Sequence, residues 1–399
     1  MDLTFTNFTG INNVQAKFQL GVGKRGAELA AAVNVDVNEL GRIQMREGYS
    51  TVLTGTNCHS IWAREDLCLY RQNDKLMRLF EDDTAVQLRA GLTTDAGMAY
   101  ADAVTRVFMS DGVDTLQTDG STTMRWGIEP PANQPLAAQA AAGSLPPGNY
   151  LFAVTYVRED GEESGTGLAG RIANIRNGID FTAIPVSGDP DVTKKRIYLT
   201  QPNGQQLFMA VEIPNATTTA SYTGNMLTSE SLIPLSTQFK IPPPPGRVLA
   251  LHNARMLVGW GAYLMASDPY RHELFDHEQV IPFSGTVRII APLIGGVLVA
   301  TDREIVWLAG EDFEDYSPVV KARYAGIHGS AAYVDAEDIS KELQGKAVMF
   351  ATTQGIALVT EGGGFQNLTK NTYQYAVRSR AAAVFRRLSK LSSYTLVMR

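Results

Sequence analysis

Gly21, Gly23 and Gly26 fall in the spacing G-x-G-x-x-G, and an acidic residue, Glu47, follows about twenty positions on. In a dinucleotide-binding fold such glycines let a pyrophosphate approach the N-terminus of a long helix. The helical stretch available here, Ala27 to Val33, is short, and no βαβ pattern follows it. A glycine-rich loop is the simpler reading. Asp36, Asn38 and Gly41, with Glu47 at the twelfth position, come close to a calcium loop. The fifth ligand position is Leu40, which has no side-chain oxygen, so a hairpin turning at Asn38 to Gly41 accounts for the segment.

His272 and His277 suggest zinc, but they stand five apart, and one helix face needs its ligands at i and i+4. Pro269 and Pro282 bracket them, which favours a solvated, polar connection over a long helix. The acidic run Glu311, Asp312, Glu314 and Asp315 offers carboxylates to a glycosidase, whose chemistry needs two carboxyls at a fixed separation with pKa values pushed apart. A solvated turn after Gly310 explains it as well. Ser110-Asp111-Gly112 lacks the spacing of a sialidase Asp-box, and neither a G-x-S-x-G elbow nor a P-loop is present. The sequence therefore names no catalytic residue, cofactor-binding residue or metal ligand, and the expectation is that the chain is not an enzyme.

One asymmetry remains. Arg378, Arg380, Arg386, Arg387, Lys390 and Arg399 fall within the last 29 residues, without an acidic residue among them. Such a run faces phosphate or an acidic partner, or else supplies strand-edge charges that discourage edge pairing.

The elements that would position these groups are short. Of 399 residues, 44% are apolar and 19% charged, with 36 Gly and 18 Pro, a balance suited to a turn-rich β-protein with a sizeable core. The net charge of −6 argues against a globally basic nucleic-acid surface. Cys58 and Cys68 are too few for a disulfide scaffold and read as a reduced, buried pair. No basic and apolar leader opens the chain, and no apolar run approaches roughly 18 residues, so an intracellular product without membrane insertion is expected. Besides Ala27 to Val33, the only other helical tract is Leu136 to Ala142.

A repeat emerges from apolar triplets followed by a turn and a second strand. The copies are Leu67-Cys68-Leu69-Tyr70, Val107-Phe108-Met109, Met256-Leu257-Val258, Val297-Leu298-Val299 and Val348-Met349-Phe350. From 68 to 107 is 39 residues, from 256 to 297 is 41 and from 297 to 348 is 51. A four-stranded propeller blade needs about 40–50. The interval from 107 to 256 is 149, which fits one blade only after an insertion of roughly 100 residues is removed. That insertion begins near Pro130-Pro131 and Pro135 and ends at the stiff Pro242-Pro243-Pro244-Pro245. Strands at Tyr150 to Val157, Lys195 to Thr200 and Leu207 to Ile213, with a turn at Arg158 to Gly161, describe a small sandwich. The predicted fold is all-β: a β-propeller of five to seven blades (1–135 and 246–399) split by an immunoglobulin- or fibronectin-like β-sandwich (136–245).

Phe8-Thr9-Gly10-Ile11-Asn12-Asn13-Val14, then Ala32-Val33-Asn34-Val35-Asp36, Gly41-Arg42-Ile43 and Arg46-Glu47-Gly48-Tyr49, resembles the opening of tailed-bacteriophage virion proteins. Ala325-Gly326-Ile327-His328-Gly329-Ser330 and Gln354-Gly355-Ile356 with Gly362-Gly363-Gly364 extend the resemblance into the C-terminal half. It implies a tail-nozzle or tail-hub propeller that assembles into a ring, expected to be a homohexamer, in the virion tail after assembly in the host cytoplasm. The implied partners are a tail adaptor, tail fibre proteins and genomic DNA that passes through the lumen without specific binding. A carbohydrate-binding or polysaccharide-degrading propeller of a phage tail is the alternative. The resemblance transfers no catalytic residues.

Overall fold

The computed structural model describes residues 8–16, 20, 27–37, 41–46, 48, 50–226, 232–388 and 391–398. Among the described residues, five of the six four-stranded antiparallel sheets are meanders in sequence order, two before and three after a two-layered unit. Sheet I comprises Cys58–Arg64, Leu67–Gln72, Lys75–Leu79 and Ala85–Arg89, and sheet II comprises Ala99–Asp102, Val107–Ser110, Thr115–Thr118 and Thr123–Arg125. Sheet III is built from Val248–His252, Arg255–Trp260, Tyr263–Asp268 and Arg271–Pro282. Sheet IV holds Val287–Leu293, Gly296–Thr301, Ile305–Ala309 and Ser317–Ala322, and sheet V holds Ala332–Asp335, Lys346–Thr352, Gly355–Thr360 and Phe365–Asn367. A terminal hairpin, Ala381–Leu388 with Leu391–Met398, ends the series.

The repeated triplets of the sequence are the central strands of these sheets. A central strand is covered on both faces, so it reads as an unbroken apolar run: Val297, Leu298, Val299 and Ala300 are all fully buried. The turns follow the same logic. Between the first two strands of sheet III, Asn253 and Ala254 both adopt left-handed φ values of 44° and 62°, as a two-residue hairpin requires.

Successive sheets bury their faces against each other. Leu69 and Leu76 of sheet I meet Val107 and Met109 of sheet II, and Phe108 and Trp126 meet Met256 and Phe275 of sheet III. Leu257 and Leu264 pack on Val297 and Val299 of sheet IV, whose Leu298 and Trp307 face Val348 and Phe350 of sheet V. Met349 and Leu358 then receive Phe385 and Tyr394 of the terminal hairpin. Each fully buried Leu or Phe in this series contributes about 1.5–3 kcal/mol. Buried charges staple neighbouring sheets as well: Arg71 and Asp111, both inaccessible, pair at 3.0 Å between sheets I and II. The first strands of successive units lie side by side, Ala99–Asp102 against Val248–His252, that strand against Val287–Leu293, and Ala332–Asp335 against Ala381–Leu388.

Between sheets II and III the chain forms a two-layered unit. A three-stranded sheet (Leu136–Ala140, Gly178–Thr182, Ala220–Tyr222) faces a four-stranded one (Gly170–Ile175, Gly148–Arg158, Val192–Thr200, Leu207–Pro214). Tyr150, Phe152, Val154, Ile179, Phe181 and Ile197 share its core, with the Phe152 and Phe181 rings 5.4 Å apart. The chain leaves it through Ile241, which exchanges backbone hydrogen bonds with Phe275 of sheet III at 3.0 and 2.9 Å.

Neither expected helix forms. Ala27–Leu29 is a strand paired in parallel with Phe8–Ile11, and Leu136–Ala140 pairs with Gly178–Thr182, burying Ala140. Helix propensity is a weak preference, and tracts this short are marginal alone, so cross-strand pairing decides. The segment holding His272 and His277 also differs from expectation. It is the fourth strand of sheet III rather than a connection, and it gains ladder bonds that a solvated loop would leave to water.

Candidate functional site

The glycine fingerprint at 21–26 and its acidic residue Glu47 lie outside the described residues. Directly after the glycines the chain forms the strand Ala27–Leu29 rather than a helix, so there is no helix N-terminus there to meet a pyrophosphate. Around the calcium-like segment, Val35–Val37 and Ile43–Met45 pair as the expected hairpin, while positions 38–40 lie outside the described residues. Asp36 is paired with Arg46 at 3.1 Å. Among the described residues no group of three or more His, Cys, Asp or Glu side chains is placed to hold a metal ion.

On their shared strand, His272 and His277 fall in two separate irregularities of the pairing with the third strand of sheet III, His272 between Arg271 and Phe275 and His277 between Phe275 and Val280. The His272 ring lies edge-on to Phe108, and its Nε2 is 3.1 Å from the Ala254 carbonyl oxygen. Burial pushes its pKa below the ordinary value, and the Ala254 hydrogen bond opposes that push. His277 is exposed. The acidic run is likewise divided: Asp312 and Glu314 both pair with Arg255 of sheet III, at 3.1 and 2.6 Å, and staple sheets III and IV. The cysteines correct another expectation. Both are free, but Cys58 is exposed because it opens the edge strand of sheet I, and only Cys68 is half-buried.

Glu311 and Arg387, from two separate sequence candidates, meet at one cavity. It has a volume of about 710 Å³ and opens where turns of sheets III, IV and V face the terminal hairpin. Leu293, Ile294, Tyr333 and Phe385 give it an apolar lining. Its charges are largely matched within the wall. Asp335 pairs with Lys346 at 2.6 Å and with Arg387 at 3.3 Å, and Arg387 reaches Asp338 at 3.1 Å. Lys346 and then Arg387 hold the Asp335 carboxyl below its usual range. An apolar floor with a charge-matched rim has the chemistry to hold a side chain or a peptide segment. Of the other basic C-terminal residues, Arg378, Arg380 and Arg386 are exposed, and Lys390 and Arg399 lie outside the described residues.

A second cluster joins the two-layered unit to sheet II. Arg106 of sheet II contacts Asp160 at 2.7 Å and Glu162 at 2.6 Å. Arg158 binds Glu162 at 2.7 Å and Asp189 at 2.8 Å, and donates to the Arg125 carbonyl at 2.9 Å. Burial pushes the Glu162 carboxyl up, while Gln117 and Arg158 pull it down. The turn read as a simple reversal at Arg158 to Gly161 is thus the clamp that seats the unit.

Sequence reasoning missed a third arrangement. His59 lies 2.8 Å from Ser60 Oγ through Nδ1 and 3.1 Å from Asp95 through Nε2, a serine–histidine–aspartate relay in outline. Ser60 Oγ also accepts the Met98 backbone N–H at 2.9 Å. These contacts hold Ser60 at a φ of 53° beside a bulge and tie sheet I to the segment before sheet II. The relay joins residues 36 positions apart, and no local pattern announces it.

No protein-family model matches the chain, and no curated protein sequence matches it. Among solved structures it is similar to BBS1N in complex with ARL6DN, at 10% identity and a TM-score of 0.35, covering 87% of this chain and 90% of that one. AztD from Citrobacter koseri aligns at 9% identity and a TM-score of 0.33, covering 80% and 75%. The N-terminal domain of Nup159 aligns at 9% identity and a TM-score of 0.30, covering 84% and 72%. Likeness at this level carries no argument about function.

Proposed function

We propose that the protein is a structural component of a bacteriophage tail, a ring-forming β-propeller of the nozzle or tail-hub type. In this reading the five sheets and the terminal hairpin are blades, and residues 136–245 form an immunoglobulin- or fibronectin-like domain inserted between the second and third. The ring contributes to the DNA-ejection conduit, and the inserted domain and exposed turns meet adaptor and fibre proteins.

The observation that supports it best is the terminal hairpin. It occupies the next place in the stack yet has two strands where each sheet has four. Among the described residues, the outward edge of Leu391–Met398 pairs with no strand, and Val384 and Val397 are exposed. An open edge with apolar residues recruits strands or side chains from another copy. Electron microscopy and sedimentation at virion-like salt test the reading. Rings of about six copies are expected, and closed rings should fail when the hairpin is deleted. A strictly monomeric protein under those conditions sinks the proposal.

A further inference from the structure

Four successive units carry a basic residue near the start of the first strand. Arg247 directly precedes Val248–His252, Arg288 is the second residue of Val287–Leu293, His328 lies just before Ala332–Asp335, and Arg380 directly precedes Ala381–Leu388. The first strands of sheets III and IV lie side by side, as do those of sheet V and the hairpin, so the recurrence gathers these residues pairwise, and His328 links the two pairs. His328 holds the group together. Its Nδ1 is 3.1 Å from the Arg288 carbonyl oxygen, and its own carbonyl accepts the Ala381 N–H at 2.8 Å. Arg288 Nη1 reaches the Gly326 carbonyl at 3.5 Å. Gly329, at φ 78°, brings its backbone against the Ala381 carbonyl, where a Cβ would stand 2.1 Å from the oxygen.

Arg288 and Arg380 are tied to His328 through their backbones, the first by its carbonyl oxygen and the second by an isolated parallel bridge. Burial holds His328 below its ordinary pKa, and Arg380, Arg247 and Arg288 press it lower, against the bond to the Arg288 carbonyl. Sheet II makes room for the third cation: Arg247 Nε lies where a Cβ on Gly112, itself at φ 91°, would be 2.6 Å away. Among the described residues none of the three guanidinium groups forms an ion pair, unlike Arg71, Arg106, Arg158 and Arg255. Three cations drawn toward one place without ion pairs of their own repel one another, and a bound anion relieves that repulsion.

We propose that Arg247, Arg288 and Arg380 form a phosphate-binding site, with His328 as the positioning residue that fixes two of the three strands. Planar guanidinium forks match phosphate oxygens two at a time, and three of them suit a group with more than one charge. The phosphate is a nucleic-acid backbone phosphodiester or a free phosphate. The inference rests on side-chain placement and is independent of the tail reading.

The test uses the full chain. Inorganic phosphate is titrated calorimetrically at matched ionic strength, and a fluorescent oligothymidylate is titrated by anisotropy over a salt series. Wild type should bind phosphate, and the triple variant Arg247→Gln, Arg288→Gln, Arg380→Gln should lose about tenfold or more. Arg171→Gln, on the two-layered unit, should bind as wild type does. If the oligonucleotide also binds, and the triple variant lowers the slope of log K against log salt by about 2, the source is a nucleic-acid backbone. Phosphate binding without oligonucleotide binding assigns the site to free phosphate. Wild type that binds neither probe, or binding that survives the triple substitution, overturns the proposal. Should the triple variant misfold, Arg380→Gln alone gives the same reading, because that residue is exposed. Rings seen with a binding-deficient variant would separate this outcome from the fate of the tail reading.

Discussion

The arginines at the seam of the two-layered unit and those at the starts of the first strands have the same chemistry and opposite surroundings. At the seam, Arg106 and Arg158 meet Asp160, Glu162 and Asp189 at 2.6–2.8 Å. At the first strands, Arg247, Arg288 and Arg380 flank His328 in the proposed site and, among the described residues, form no ion pair. A buried cation with matched acids is a structural fastening. The arginines of the proposed site are more open to solvent and have no such match, which suits them to a ligand. The contrast gives a way to sort arginines by role before any ligand is known.

The largest expected effect breaks the seam. Arg158→Ala leaves the buried Asp189 without its arginine and Glu162 with Arg106 and Gln117 alone, and should destabilise the protein by about 3 kcal/mol in urea unfolding. A loss under about 1 kcal/mol would mean that water replaces the guanidinium and that the seam is not a fastening. A carboxylate satisfied without arginine sharpens the comparison. Burial raises the Asp119 pKa, but hydrogen bonds from Thr122 and Ser121 outweigh that and set it at about 2. Its folded pKa is thus below its unfolded one, so its stabilisation is present above about pH 4 and is lost as pH falls towards 2. Because the side chain is exposed, the effect should be about 1 kcal/mol or less, visible as a flatter acid limb in Asp119→Asn. The smallest effect belongs to the first strands: Arg380→Gln should leave stability within about 0.5 kcal/mol of wild type in thermal melts. A substantial loss there would put Arg380 among the fastenings.

The part of this molecule that could be read from the sequence is the part buried on both sides. Val297 to Ala300 and Val348 to Ala351 sit in central strands, where every residue faces core and the apolar run is continuous. First and fourth strands expose one face and blur into loops, which is why Arg271–Pro282 read as a polar connection. The alanine tract at 136 misled because small residues suit a helix alone and a crowded sheet in company. Of the three gathered arginines, only Arg380 lay in a conspicuous basic run. Arg247 and Arg288 are isolated in the chain, and a net charge of −6 averages them away. Aligning the starts of the repeats, rather than their apolar centres, is the signal that finds them.

The prolines at 242–245 have a mechanical meaning. Polyproline holds about 3.1 Å per residue and has little length in reserve. Its upstream end is stitched to sheet III at Ile241 and Phe275, and the unit it leaves is clamped to sheet II by the ion pairs of Arg106 and by the bond from Arg158 to the Arg125 carbonyl. A tug on the two-layered unit therefore finds no slack to take up. Load passes directly into two neighbouring sheets, and the unit acts as a handle rather than a pendant.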